Sequence, residues 1–239
     1  CQRERFLRTV DLQFMKREGR KLKRYLIALI MFMGFLCFPA FEAGAAAPSR
    51  TGALHVEGGR LVGENGEPVR LKGVSTHGLQ WYPQYVNPEA FRELREEWGA
   101  DVIRLALYTE EGGYCDCGAE KKQELLTILK NGIRYAEEAD LYCIVDWHIL
   151  SDGSPNQNIK EAISFFDMIS SEFHDRNHIL YEICNEPNGS VTWKEIREYA
   201  LALIPIIRRH DPDAVILVGT PNWSQYVDEA SKDPITEYE

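Results

Sequence analysis

The chain has 239 residues, 44% of them hydrophobic and 11% aromatic, enough for one large domain or two small ones and too apolar for global disorder. Its net charge is −10, and beyond the first 45 residues, 18 basic side chains face 33 acidic ones. That balance argues against nucleic acid or an anionic membrane as partner and suits a neutral substrate outside the cell.

The N-terminal stretch differs from the rest in composition. Lys16, Arg17, Arg20, Lys21, Lys23 and Arg24 form a basic block, residues 25–41 an apolar run, and small residues follow at Ala43-Gly44-Ala45 and Ala45-Ala46-Ala47. This is the order of a secretory signal peptide, so residues 15–47 are expected to be cleaved and the protein exported; an uncleaved anchor is the alternative. Met15 is the expected start, and residues 1–14 read as upstream frame without structure. Four cysteines remain. Cys143 and Cys184 fall inside predicted strands, where the thiol acts as a small apolar group. Cys115-Asp116-Cys117 is too tightly spaced for a metal knuckle or for a bridge within itself, so neither a metal nor a disulfide framework is expected.

Residues 48–239 read as one domain. Two short apolar patches around Gly58-Gly59 predict a hairpin. Strands and helices then alternate. A strand at 69–75 precedes a helix opened by Asn87 and Pro88 and stopped by Gly99. A strand at 102–107 leads to an amphipathic helix at 120–139, with Leu125, Leu126, Leu129, Ile133 and Ala136 on one face. A strand at 141–147, a helix at 159–174, a strand at 179–184, a helix at 193–209 and a strand at 215–218 complete the series. Such alternation means right-handed βαβ units and a parallel sheet.

A doubly wound sheet and an eight-stranded barrel both fit. Strands covered on both faces are apolar throughout. Here Arg104 and Tyr108 share a parity on one strand, Asp146 and His148 on the next, and Glu182, Cys184 and Glu186 on the third. Polar side chains on one parity near successive strand ends fit a barrel with its site at the C-terminal mouth. The Gly-rich first turn of a nucleotide-binding sheet is missing from Ser75-Thr76-His77-Gly78.

Glu186, at the stop Asn185-Glu186-Pro187, is a candidate general acid, because a carboxyl at the mouth of a buried strand can be partly desolvated and keep its proton. Its other reading is a helix cap or a lysine partner. Asn185 can hold a substrate hydroxyl or merely turn the chain before Pro187. Arg104, inside a strand, needs a carboxylate. It can pair with Glu182, keep a nucleophile ionised, or do both. His77 and His148 end equivalent strands and are either satisfied core residues or members of one cleft. Trp81, Tyr82, Tyr108 and Trp223 follow strands and either pack loops or offer flat faces to sugar rings.

Five motifs in order carry a resemblance. They are Gly73-Val74-Ser75-Thr76-His77-Gly78-Leu79-Gln80-Trp81, Val102-Ile103-Arg104-Leu105, Ile144-Val145-Asp146-Trp147-His148, Tyr181-Glu182-Ile183-Cys184-Asn185-Glu186-Pro187 and Gly219-Thr220-Pro221-Asn222-Trp223. From about residue 52 onward the chain resembles bacterial endoglucanases of glycoside hydrolase family 5. The resemblance implies a (β/α)8 TIM barrel, incomplete here with about five βα units after the hairpin, that hydrolyses β-1,4-glucan with retention. Glu186 becomes the acid/base, Asn185 a hydroxyl ligand and Arg104 the nucleophile's partner. His77, Tyr108 and His148 become cleft residues, and Trp81 and Trp223 sugar platforms. Asn222 and Tyr226 depart from the family's pattern around Trp223.

Retention requires a second carboxylate about 5 Å from the first. The family places it at the seventh strand, so the nucleophile is expected beyond residue 239 and these residues alone are expected to be inactive. No cofactor is expected, and no membrane partner once the signal is cleaved; the full-length protein is expected to be a monomer. An inactive carbohydrate-binding barrel, or a relative acting on mannan or xyloglucan, is the alternative.

Overall fold

A computed structural model describes residues 45–238. The upstream segment 1–14 and the signal-peptide stretch as far as residue 44 lie outside the described residues.

After a short helical turn at Pro48–Thr51, β1 (His55–Glu57) and β2 (Arg60–Val62) form an antiparallel hairpin. Its two turn residues, Gly58 and Gly59, both take positive φ, 56° and 74°, which the tight turn requires and glycine adopts without steric cost. The alternating units follow: β3 (Gly73–Ser75), α1 (Pro88–Glu96), β4 (Val102–Tyr108), α2 (Ala119–Glu138), β5 (Tyr142–His148), α3 (Ile159–Glu172), β6 (Ile179–Cys184), α4 (Trp193–Arg208), β7 (Val215–Val218) and α5 (Val227–Lys232). Local signals set the helix ends. Asn87 Oδ1 accepts from the Ala90 N–H at 2.8 Å to start α1, and a reciprocal Thr192/Glu195 capping box starts α4.

The five strands β3 to β7 lie in sequence order in one sheet, and every neighbouring pair is parallel. Two apolar layers decide between the candidate architectures. On one face Leu105, Leu107, Val145, Trp147 and Tyr181 pack against Leu125, Leu129, Phe165, Phe166, Ile169 and Leu203 of the helices. On the other, Val102, Tyr142, Leu180 and Val215 pack with Ala46, Leu54, Leu61, Val69 and Leu71, and α1 to α4 contribute nothing there. Helices on one side only, with the N-terminal hairpin region closing the bottom of the other, make this a five-strand arc of a (β/α) barrel. Tyr142 ties the floor by donating its hydroxyl to the Gly52 carbonyl at 2.7 Å.

The first barrel strand is shorter than its 69–75 pattern predicts. Its ladder begins at Gly73 opposite Val102; just before it the Lys72 carbonyl accepts from the Asp101 N–H at 2.6 Å, while the Lys72 N–H turns to the Asp101 side chain at 3.1 Å. Val69 instead donates its N–H to the Leu61 carbonyl, and its side chain joins the floor. Ala46 and Ala47, within the predicted cleavage stretch, are buried in this domain. Among the described residues no helix is long and apolar enough to cross a membrane.

Candidate active site

Above the floor the concave face turns polar. Arg104, one step beyond Val102 on that face, is held on four sides. Its Nε and Nη2 donate to the two Glu182 oxygens at 2.7 and 2.8 Å. Nη2 also lies 2.7 Å from Asn185 Oδ1 and 2.9 Å from Asp146 Oδ2. Nη1 donates to Ser75 Oγ at 3.2 Å. Asp146 is fully buried, and its Oδ2 also lies 2.6 Å from His148 Nδ1. The Asn185 amide nitrogen reaches His148 Nε2 at 3.2 Å and the Ile149 carbonyl at 3.1 Å.

Charge and burial act together here. Burial opposes the Arg104 charge, but the Glu182 hydrogen bond and the charges of Asp146, Glu182 and Glu186 outweigh it and raise its pKa. Burial pushes the Asp146 carboxyl well above the ordinary range, Glu182 adds to the rise and Arg104 opposes it. His148 is lowered to about 4, first by burial and then by the nearby guanidinium, so its ring is neutral at pH 7.

Asn185 arrives in this cluster through a defect in β6. Glu182 pairs with Leu217 and Cys184 with the next residue, Val218, so β6 carries one extra residue in a bulge. Strict alternation would aim Cys184 at the cleft and Asn185 at the helices. With the bulge, Ile183 and Cys184 both enter the helix-side core and Asn185 faces Arg104. The parity that groups Cys184 with Glu182 and Glu186 therefore fails at Cys184. Gly219 makes the crossing possible: a Cβ there would stand 2.5 Å from the Asn185 carbonyl oxygen and 2.6 Å from that of Cys184.

Glu186 follows, half-buried. Its charge helps to raise the pKa values of Arg104, Tyr108 and Asp146 and opposes the lowering at His148. Asn188 anchors its peptide by donating to the Glu186 carbonyl at 3.0 Å and the Leu150 carbonyl at 2.7 Å.

An aromatic wall stands beside this cluster. Tyr108 stacks on His148 with centroids 3.9 Å apart, and Trp81 lies 4.9 Å from both Tyr108 and His77. Tyr82 continues the wall, 5.4 Å from His77. Trp81 and Tyr82 remain 40% and 46% exposed, which leaves faces free for a ligand. Trp223, 47% exposed, is carried separately. It sits in a turn where Asn222, Trp223 and Ser224 all have positive φ, of 58°, 53° and 60°. Such a backbone persists only where its surroundings hold it. The Trp223 N–H donates to the Pro187 carbonyl, and Ser224 Oγ to the Asn185 carbonyl, both at 3.0 Å.

Every residue proposed from sequence thus lies at the mouth or on its walls. Arg104, Asn185 and His148 are joined by hydrogen bonds; His77, Trp81, Tyr82 and Tyr108 form one wall, and Trp223 is pinned to the Asn185–Pro187 turn. Asp146 escaped as a site residue, although an aspartate on the polar parity of an apolar strand was its signal. Ser75 and Ser224 carry no such signal. Among the described residues no group of three or more His, Cys, Asp or Glu side chains is arranged to hold a metal ion. Cys115 and Cys117 are half-buried free thiols.

Fold and site together define a (β/α)-barrel chain that gathers carboxylates, an arginine and exposed aromatic rings at the C-terminal ends of its strands. Known proteins make this specific. The profile of the Cellulase family (glycosyl hydrolase family 5) matches residues 62–238, and the chain belongs to that family. It is 43% identical over 218 residues to an endoglucanase of Clostridium saccharobutylicum, covering 90% of this chain and 48% of the relative. It is 45% identical over 185 residues to endoglucanase A of Butyrivibrio fibrisolvens, covering 77% and 43%. The solved catalytic domain of Thermobifida fusca endoglucanase Cel5A, a variant in complex with cellotetraose, superposes with a TM-score of 0.75 at 39% identity, covering 79% of this chain and 63% of that one. The chain spans about half the length of the curated relatives it matches.

Proposed function

We propose that this protein is an endo-1,4-β-glucanase that hydrolyses cellulose or related β-glucans by retaining double displacement, with Glu186 as acid/base. The observation that carries the reading is that Glu186 is half-buried and directly follows Asn185, whose side chain bonds Arg104 within the Arg104–Asp146–His148–Asn185 cluster of a family 5 chain. A carboxyl so placed can protonate a glycosidic oxygen and later take a proton from water. Trp81, Tyr82, Tyr108 and His77 would stack sugar rings on one side of the scissile bond and Trp223 on the other. The endoglucanase names of the relatives and the cellotetraose complex of a neighbour support β-1,4-glucan as the substrate class.

Asp146 and Glu182 are both engaged by Arg104, so we assign the nucleophile to neither, and to none of the described residues. Export through a leader that starts at residue 15 belongs to the same proposal, since a polymeric substrate is met outside the cell; cleavage would fall after Ala45 and not Ala47, because Ala46 and Ala47 are buried in the domain. Action as a monomer without a membrane partner belongs to it too.

Hydrolysis of soluble carboxymethylcellulose by the full-length gene product tests the reading. Glu186→Gln is expected to lower turnover roughly a hundredfold or more while cellotetraose still binds. Turnover unaffected by that substitution, or a product of inverted anomeric configuration, would overturn it.

A further inference from the structure

Four side chains at the mouth close a ring of hydrogen bonds. Arg104 Nη2 reaches Asp146 Oδ2 at 2.9 Å, His148 Nδ1 reaches the same oxygen at 2.6 Å, the Asn185 nitrogen reaches His148 Nε2 at 3.2 Å, and Asn185 Oδ1 returns to Arg104 Nη2 at 2.7 Å. One member admits a single role, because a guanidinium only donates. The atom of Asn185 facing Arg104 is therefore its oxygen, and its NH2 faces His148. Nε2 must then be the acceptor, and the imidazole proton lies on Nδ1, where Asp146 receives it. Among the described residues the other Asp146 oxygen has no partner, so Oδ2 takes both bonds.

We propose that Asp146 is a positioning residue: by accepting the Nδ1 proton it fixes the His148 tautomer, and through His148 it fixes which way the Asn185 amide is presented to a ligand. The second clause rests on the β-glucanase reading; the first does not. Asn185 has both amide protons committed, to His148 and to the Ile149 carbonyl, so its oxygen is the end left with capacity for a sugar hydroxyl. Without an acceptor at position 146 the buried Nδ1 proton would be stranded. Moving it to Nε2 would oppose two donors, and the Asn185 amide would have to turn, breaking its bond to Arg104. Glu182 would still neutralise Arg104, so loss of Asp146 need not unfold the site.

Two substitutions separate this role from simple packing. Asp146→Asn can keep an oxygen at the Oδ2 place while losing the charge; Asp146→Leu keeps the volume and loses the acceptor. Both are expected to lower the unfolding midpoint. Nitrogen-15 NMR of the imidazoles in the 239-residue chain, with His148 assigned by its loss in His148→Gln, reads the tautomer. The unaltered protein and Asp146→Asn are expected to carry the proton on Nδ1, and Asp146→Leu to shift it to Nε2. Cellotetraose affinity should fall roughly tenfold in Asp146→Leu and stay within about threefold in Asp146→Asn. A proton on Nε2 in the unaltered protein overturns the proposal without any variant, and an unchanged tautomer in Asp146→Leu overturns it as well. Affinities are measured on the full-length gene product, and its failure to bind cellotetraose counts against the substrate reading and leaves the tautomer result standing.

Discussion

His148 shows how burial at a single residue couples the site to pH. In the unfolded chain an imidazole takes its proton near pH 6.5; in the folded protein burial and Arg104 delay that uptake to about 4. Between these values the unfolded state holds a proton that the native state lacks, so stability falls as the pH falls. The contribution is complete above 6.5 and gone below about 4, amounting to on the order of 3 kcal/mol. Asp146 acts with the opposite sign: its raised carboxyl binds a proton that the unfolded chain releases, so acidification favours the native state there. The two contributions therefore partly cancel. Urea unfolding from pH 7.5 to 4.5 is expected to show a shallower acid loss in His148→Asn than in the unaltered protein, and parallel curves would count against this account.

At the level of elements, the junction between β6 and β7 carries the site. The bulge turns Asn185 inward, and the approach of Gly219 to the Cys184 and Asn185 carbonyls keeps the two strand ends together. The atoms a new Cβ would meet are backbone and proline ring, which cannot swing aside as a flexible side chain would. Gly219→Ala is expected to cost about 1–3 kcal/mol by the overpacking rule and to shift the Asn185–Trp223 region. Chemical denaturation gives the first quantity. Quenching of tryptophan fluorescence reads the second, since Trp223 is tied to the Pro187 carbonyl. A variant as stable as its parent would show that the strands separate more easily than this packing allows.

On the scale of the whole molecule, β3 and β7 are the outer strands of the five-strand sheet, and each has one neighbour among the described residues. Val74 and Leu217 are 45% and 37% exposed on these strands. Unpaired strand edges beside apolar side chains are templates for pairing with another chain. The 239-residue chain is expected to self-associate as its concentration rises, and Val74→Lys to weaken that association; sedimentation velocity checks both, and a monomer at every concentration would refute the first. Much of this architecture was legible in the sequence. The helix cap at Asn87, the apolar face of α2 and the polar parity of β4 and β5 are local patterns, and each strand-end residue proposed for the site lies at the mouth. The length of β3, the inward turn of Asn185, the burial of Cys184 among the helices and the ring through Asp146 were not legible. Periodicity records how a segment repeats along itself, whereas a bulge, a tautomer and a carbonyl-to-glycine approach depend on which backbone lies alongside. Only the register of β6 against β7 and the convergence of β4, β5 and β6 on Arg104 decide those.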